Sequence, residues 1–132
     1  MPEYDGSIFN PPAPVAYVAL ENPENNLKIE NVPVLLDTGS DATLIPQFIV
    51  EKLQLSLSNS RIYETEAFNG ATGHSPVVRV KMSFLEKNFR GDFLTVAQEC
   101  GIIGRNILNQ RTLRFDGKNF RSRRTPNKTA LF

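Results

Sequence analysis

The chain has 132 residues, 40% of them hydrophobic, which suits one compact domain. Its single cysteine, Cys100, excludes an intrachain disulfide framework, and the lone His74 has no Cys/His cluster around it at zinc spacing, so no metal and no cofactor are expected. The net charge of +1 hides an asymmetry, because residues 111 to 132 carry seven of the 15 Lys and Arg but only one of the 14 acids.

The chain opens on MPEYDGSIFNPPAP, acidic and Pro-rich where a signal peptide would be basic and then apolar, and no apolar run nears the roughly 20 residues that span a bilayer. A soluble, intracellular protein without a membrane partner is expected. Residues 1 to 13 read as an extension, 14 to 120 as the folded domain, and 121 to 132 as a basic tail. "PVAYVAL" is the first strand, "ENPENN" a turn, and "LKIENVPVLL" the second strand. Helical spacing follows in "IPQFIVEKL", with Ile45, Ile49 and Leu53 on one face. "ETEAFNGATGHSPVV" reads as a long hairpin whose tip lies around Gly70 and Gly73. In "RVKMSF", Val80, Met82 and Phe84 alternate with Arg79, Lys81 and Ser83, the pattern of a half-buried strand. Ile103 and Ile107 share a helical face in "IIGRNILNQ", and "DG" between "TLRF" and "KNFRS" marks a hairpin with a further strand. The whole describes an all-β domain with one or two short helices. The basic tail lacks the interleaved aromatics that stack bases, so it reads as a solvated extension and no nucleic-acid partner is expected.

Between the second strand and the first helix lies "VPVLLDTGSDATLIP", an apolar strand running directly into Asp37. A carboxylate that ends a buried strand is solvated, paired, or held for chemistry, and by itself Asp-Thr-Gly reads as an ordinary turn. Together with "GIIGRNILNQRTLRF" some 65 residues later, however, the stretch resembles the retropepsins, the retroviral-type aspartic proteases, at both of that family's diagnostic places. The resemblance covers about Pro14 to Phe115. It implies a retropepsin-like acid-protease fold, a closed, barrel-like domain with a flap hairpin, assembled as a homodimer that cuts polypeptides.

The chemistry implied needs two carboxylates sharing one proton. The ionised one takes a proton from a water and the protonated one polarises the scissile carbonyl. With one Asp-Thr-Gly per chain, Asp37 of each of two subunits would meet on the two-fold axis. Thr38 would hydrogen-bond across that axis, and Gly39 would offer its backbone to substrate. Asp41 would bind substrate main chain and pair with Arg105, a pairing that reads equally as an ion pair fastening the helix. Ala42 and Ile45 would line side pockets or belong to the core. Ser40, Gly104, Arg105 and Asn106 would support the site. In the flap, Phe68, Asn69, Gly70 and Ala71 would close over the substrate, while His74 reads as a solvated loop histidine.

One departure from the viral pattern is the chain beyond "TLRF", which puts the pairing of terminal strands in a dimer at issue. The alternative function, from a different class, is a non-catalytic retropepsin-fold module that binds extended peptides by strand addition.

Overall fold

The computed structural model describes residues 3 to 66 and 72 to 124. Ten strands and two short helices follow in order: β1 (Tyr4–Asp5), β2 (Ala13–Glu21), β3 (Lys28–Leu36), β4 (Leu44–Pro46), α1 (Gln47–Lys52), β5 (Leu57–Glu66), β6 (Thr72–Phe84), β7 (Lys87–Val96), β8 (Gly101–Ile103), α2 (Arg105–Leu108), β9 (Leu113–Asp116) and β10 (Arg121–Arg124). Six strands close into a ring in the order β2, β3, β8, β4, β7, β6, because β6 returns to pair with β2 through Ala19 and Ser83, Leu20 and Met82, and Glu21 and Lys81. β3 runs parallel to β8 and β4 parallel to β7, and the other ring pairings are antiparallel. This all-β closed barrel with two short helices is the architecture expected from the sequence.

Period-2 alternation decides which faces turn inward. Val32, Val34 and Leu36 of β3 are buried, as are Val78, Val80, Met82 and Phe84 of β6, and they meet Val18, Leu20 and Ile103 in one core. Phe84 is among the largest of these fully buried side chains, so its truncation to alanine would cost about 3–5 kcal/mol.

α1 covers one side of this core with Ile49 and Val50, and Leu53 follows them inward. It stops by a backbone device: Leu55 N–H donates to the Val50 carbonyl, Gln54 N–H donates to Glu51, and Gln54 takes a left-handed φ of 54°. Buried Asn22, from the β2–β3 turn, donates Nδ2 to the Leu53 carbonyl at 2.9 Å, and Asn25 Nδ2 donates to the same carbonyl at 3.3 Å, so two turn residues satisfy this helix-end acceptor.

Several elements differ from the sequence reading. Ile45 lies in β4, ahead of the helix that was expected to contain it, and Ile103 lies in β8 while Ile107 lies in α2. β10 begins at Arg121 rather than at Lys118, since the Asp116 carboxylate accepts bonds from Asn119 N–H and Nδ2 and draws Gly117 to Phe120 into a longer loop. The long hairpin forms as β5 and β6, with Glu66 opposite Thr72. The flap-tip positions Phe68, Asn69, Gly70 and Ala71 lie outside the described residues. At the other end, Tyr4 N–H donates to the Phe120 carbonyl at 2.7 Å, so the beginning of the chain and the last hairpin are in contact. No helix is long and apolar enough to cross a membrane among the described residues.

Candidate active site

β3 delivers its last buried residue, Leu36, and then releases Asp37 at the end of the strand, where Asp37 N–H still donates to the Ile103 carbonyl of β8 at 3.0 Å. The next three residues form a tight turn. Ser40 N–H donates to the Asp37 carbonyl at 3.2 Å, and Gly39 N–H donates to Asp37 Oδ1 at 2.9 Å. One carboxylate oxygen is thus held by its own loop while the side chain as a whole stays half-exposed. Thr38 and Gly39 are exposed beside it.

The start of α2 clamps this turn from beneath. Arg105 N–H donates to the Ser40 carbonyl at 2.8 Å, and Arg105 Nη1 donates to the Thr38 carbonyl at 2.7 Å. The Asp41 pairing expected for Arg105 is therefore replaced. A backbone carbonyl of the turn takes the guanidinium, and exposed Asp41 forms no ion pair among the described residues. Gly104 is the point of closest approach, because a Cβ there would lie 2.7 Å from the Ser40 carbonyl oxygen and would collide with the Ala42 carbonyl.

Thr43, absent from the sequence reading, is the buried hub of the support. It is 1% exposed, its Oγ1 accepts from Gly104 N–H at 3.1 Å, and it donates to Asn106 Oδ1 at 2.7 Å. Ser40 Oγ donates to the Ala42 carbonyl at 2.7 Å. Ser40, Gly104, Arg105 and Asn106 therefore all touch the loop that carries Asp37, directly or through Thr43. Ile45 is fully buried in the core, the second of the two places expected for it, and does not line a surface. Ala42 is half-buried at the loop's edge.

A half-buried apolar band adjoins Asp37. Leu35 precedes Asp37 by two positions and shares its strand face, Ile102 lies in register with Leu35, and Leu44 lies in register with Ile102. The sequence signal for this band was the even spacing of Leu35 and Asp37, hidden inside the continuous apolar run that ends β3. Cys100, just before β8, is buried, and that burial pushes its thiol pKa up. No group of three or more His, Cys, Asp or Glu is placed to hold a metal ion among the described residues.

No family model matches the sequence, and no curated protein matches it. Among solved structures the chain is similar to EIAV protease complexed with the inhibitor HBY-793, at 22% sequence identity and a TM-score of 0.49, covering 74% of this chain and 86% of that one.

Proposed function

We propose that this chain is one half of an aspartic endopeptidase, in which Asp37 from each of two identical subunits activates a water for peptide hydrolysis. The observation that carries the reading is the Asp-Thr-Gly turn fastened at the end of β3 by Gly104 and Arg105. The carboxylate is half-exposed, its loop is pinned from two elements distant in sequence, and an apolar band of Leu35, Ile102 and Leu44 lies alongside for substrate side chains.

Two such carboxylates, brought about 3 Å apart, cannot both ionise, so the pair holds one proton between them. The ionised member accepts a proton from the attacking water. The protonated member hydrogen-bonds the scissile carbonyl, giving a tetrahedral diol with no covalent enzyme intermediate. Their titration belongs to the pair and not to either copy. Rigidity of the Asp37 turn is what the chemistry asks of the fold, because a misplacement near 1 Å costs on the order of a hundredfold in rate. The flap residues Phe68, Asn69, Gly70 and Ala71 close over the substrate in this reading, and Asp41 contacts its main chain.

The test is Asp37→Asn, an isosteric change that removes the charge. Hydrolysis of an unstructured polypeptide by the parent, blocked by a statine-type peptide and absent in folded Asp37→Asn protein, is the expected result. Turnover retained in a clean Asp37→Asn sample would end the aspartic-protease reading. A parent that binds the statine peptide and cuts nothing would instead support the peptide-binding module, which a single carboxylate per chain also permits.

A further inference from the structure

β9 is a strand with one open edge. β10 pairs along one side of it, Arg121 with Asp116, Ser122 with Phe115, Arg123 with Arg114 and Arg124 with Leu113, and no strand lies on the other side among the described residues. We propose that this edge receives the β9 of a second copy, antiparallel across a two-fold axis, with Phe115 opposite the partner's Phe115 and Arg114 opposite the partner's Asp116. The inference rests on the endopeptidase reading for its occupant, since a chain with one Asp-Thr-Gly needs a second copy, but it is read by association and not by turnover.

The beginning of the chain is already engaged within its own subunit. Tyr4 N–H donates to the Phe120 carbonyl at 2.7 Å, the Tyr4 and Phe120 ring centroids lie 6.1 Å apart, Glu3 bridges to Arg121, and β1 pairs with β2 through Tyr4 and Pro14, and Asp5 and Ala13. Glu3 thus covers the outer side of β10 at Arg121, and the hairpin is fastened to the barrel. What stays open is β9, where Phe115 is 40% exposed on an unpaired edge. The terminal pairing between subunits is then hairpin against hairpin, with no exchange of the first strand. The edge is also tied to the Asp37 turn, because Arg105 of α2 holds the Thr38 carbonyl and residues 109 to 112 join α2 to β9.

Symmetry and charge select the register. A two-fold axis normal to an antiparallel pair sets a residue opposite its own copy, and in a strand spanning Leu113–Asp116 only Arg114 or Phe115 at the axis keeps three residues of each chain paired. Arg114 at the axis would set two guanidinium groups face to face, which is unfavourable. Phe115 at the axis instead sets Arg114 opposite Asp116 once on each side of it and brings two exposed rings together. Neither charged residue has an ion-pair partner in its own chain among the described residues. Arg114 stands in register with Arg123, and Asp116, in register with Arg121, takes one bond on each carboxylate oxygen from Asn119, which leaves lone pairs for a further donor.

Charge swapping tests the register, with association measured by sedimentation velocity. Arg114→Asp and Asp116→Arg should each weaken the dimer about tenfold or more, because two attractive pairs become two repulsive ones. An equimolar mixture of the two variants should associate within about threefold of the parent, since each chain then meets its opposite charge. Mixing cannot mend a folding defect, so this rescue reads the pairing itself. The deficits of the single variants should shrink at about 0.5 M salt. Phe115→Cys should oxidise to a disulfide-linked dimer, its Cα atoms lying within about 5.5 Å of each other at the axis, whereas Arg114→Cys should not. An Arg114→Asp protein that associates as tightly as the parent, a mixture no better than its components, or faster linking through Arg114→Cys would overturn the proposal. So would backbone amide shifts confined to residues 113 to 116 when an extended peptide is added to a monomeric parent, which would give the edge to substrate. The two readings fail separately: a dimer that obeys the swap and cuts nothing would leave the interface and remove the endopeptidase, whereas a dimeric endopeptidase indifferent to the swap would keep the activity and remove the interface.

Discussion

Replacing Gly104 with alanine would place a Cβ 2.7 Å from the Ser40 carbonyl oxygen and 2.7 Å from the Ala42 carbonyl carbon. Both neighbours are backbone, so neither can rotate away. The Gly104 φ of −96° is open to any residue, and the cost is therefore steric rather than conformational. Relieving the contact means moving α2 off the Asp37 turn, which strains or breaks the Gly104 N–H bond to Thr43 Oγ1 at 3.1 Å and the Arg105 N–H bond to the Ser40 carbonyl at 2.8 Å. Overpacking of about 1–3 kcal/mol and about 1 kcal/mol for each of the two weakened bonds sum to about 3–5 kcal/mol, a fall in Tm on the order of 10–20 °C. Gly117→Ala is the control, since nothing lies within 4 Å of a Cβ there. Thermal unfolding followed by circular dichroism reads both variants, and peptide hydrolysis should fall on the order of a hundredfold in Gly104→Ala as the turn shifts. A Gly104→Ala protein that melts within about 2 °C of the parent would refute the close packing on which this support of Asp37 depends.

Other substitutions separate the parts of the clamp. Thr43→Val strands the buried Gly104 N–H and removes the bond to exposed Asn106, and should cost about 1–3 kcal/mol by urea unfolding, whereas Thr43→Ser should retain most of the stability. Arg105→Ala should lose about 1 kcal/mol and more in rate than in stability; because the acceptor is the Thr38 carbonyl rather than a carboxylate, Arg105→Lys should recover part of the rate, and a Lys variant no better than Ala would contradict that geometry. Burial raises the Cys100 pKa, so the folded protein is stabilised by its neutral thiol below the ordinary thiol pKa and loses that contribution as pH rises through the raised value. Cys100 should accordingly react slowly with a thiol reagent at pH 8 when folded and quickly in urea, and equal rates would contradict its burial.

Much of the barrel was legible because its signals are local. Val80, Met82 and Phe84 alternate with polar residues, and the apolar run ending at Leu36 placed Asp37 at a strand terminus before any pairing was known. β7 carried no such signal: Phe89 and Phe93 share a face, but Gly91 between them removes the middle apolar beat, leaving a stretch rich in charge. β8 was missed for a different reason, since three residues leading into α2 are a strand only through pairing with β3 and β4, contacts 67 and 58 residues distant that sequence spacing does not encode. The partner of Arg105 was misread because opposite charges attract attention in a sequence, whereas backbone carbonyls are invisible there. Thr43 gave no signal in the sequence, because its role comes from a hydroxyl that the fold places between Gly104 and Asn106, more than 60 residues away.

One carboxylate per chain at a two-carboxylate reaction makes subunit pairing the central claim, and mixing tests it most directly. Parent protein is combined with a ninefold excess of Asp37→Asn subunits, exchanged to equilibrium, and assayed for hydrolysis per active chain alongside a dilution series. Random pairing leaves about one active chain in ten with an active partner, so the rate per active chain should fall about tenfold, and the undiluted parent should lose specific activity below its dimer dissociation constant. A rate per active chain that neither the inactive subunits nor dilution changes, with the protein monomeric by light scattering, would contradict the shared site.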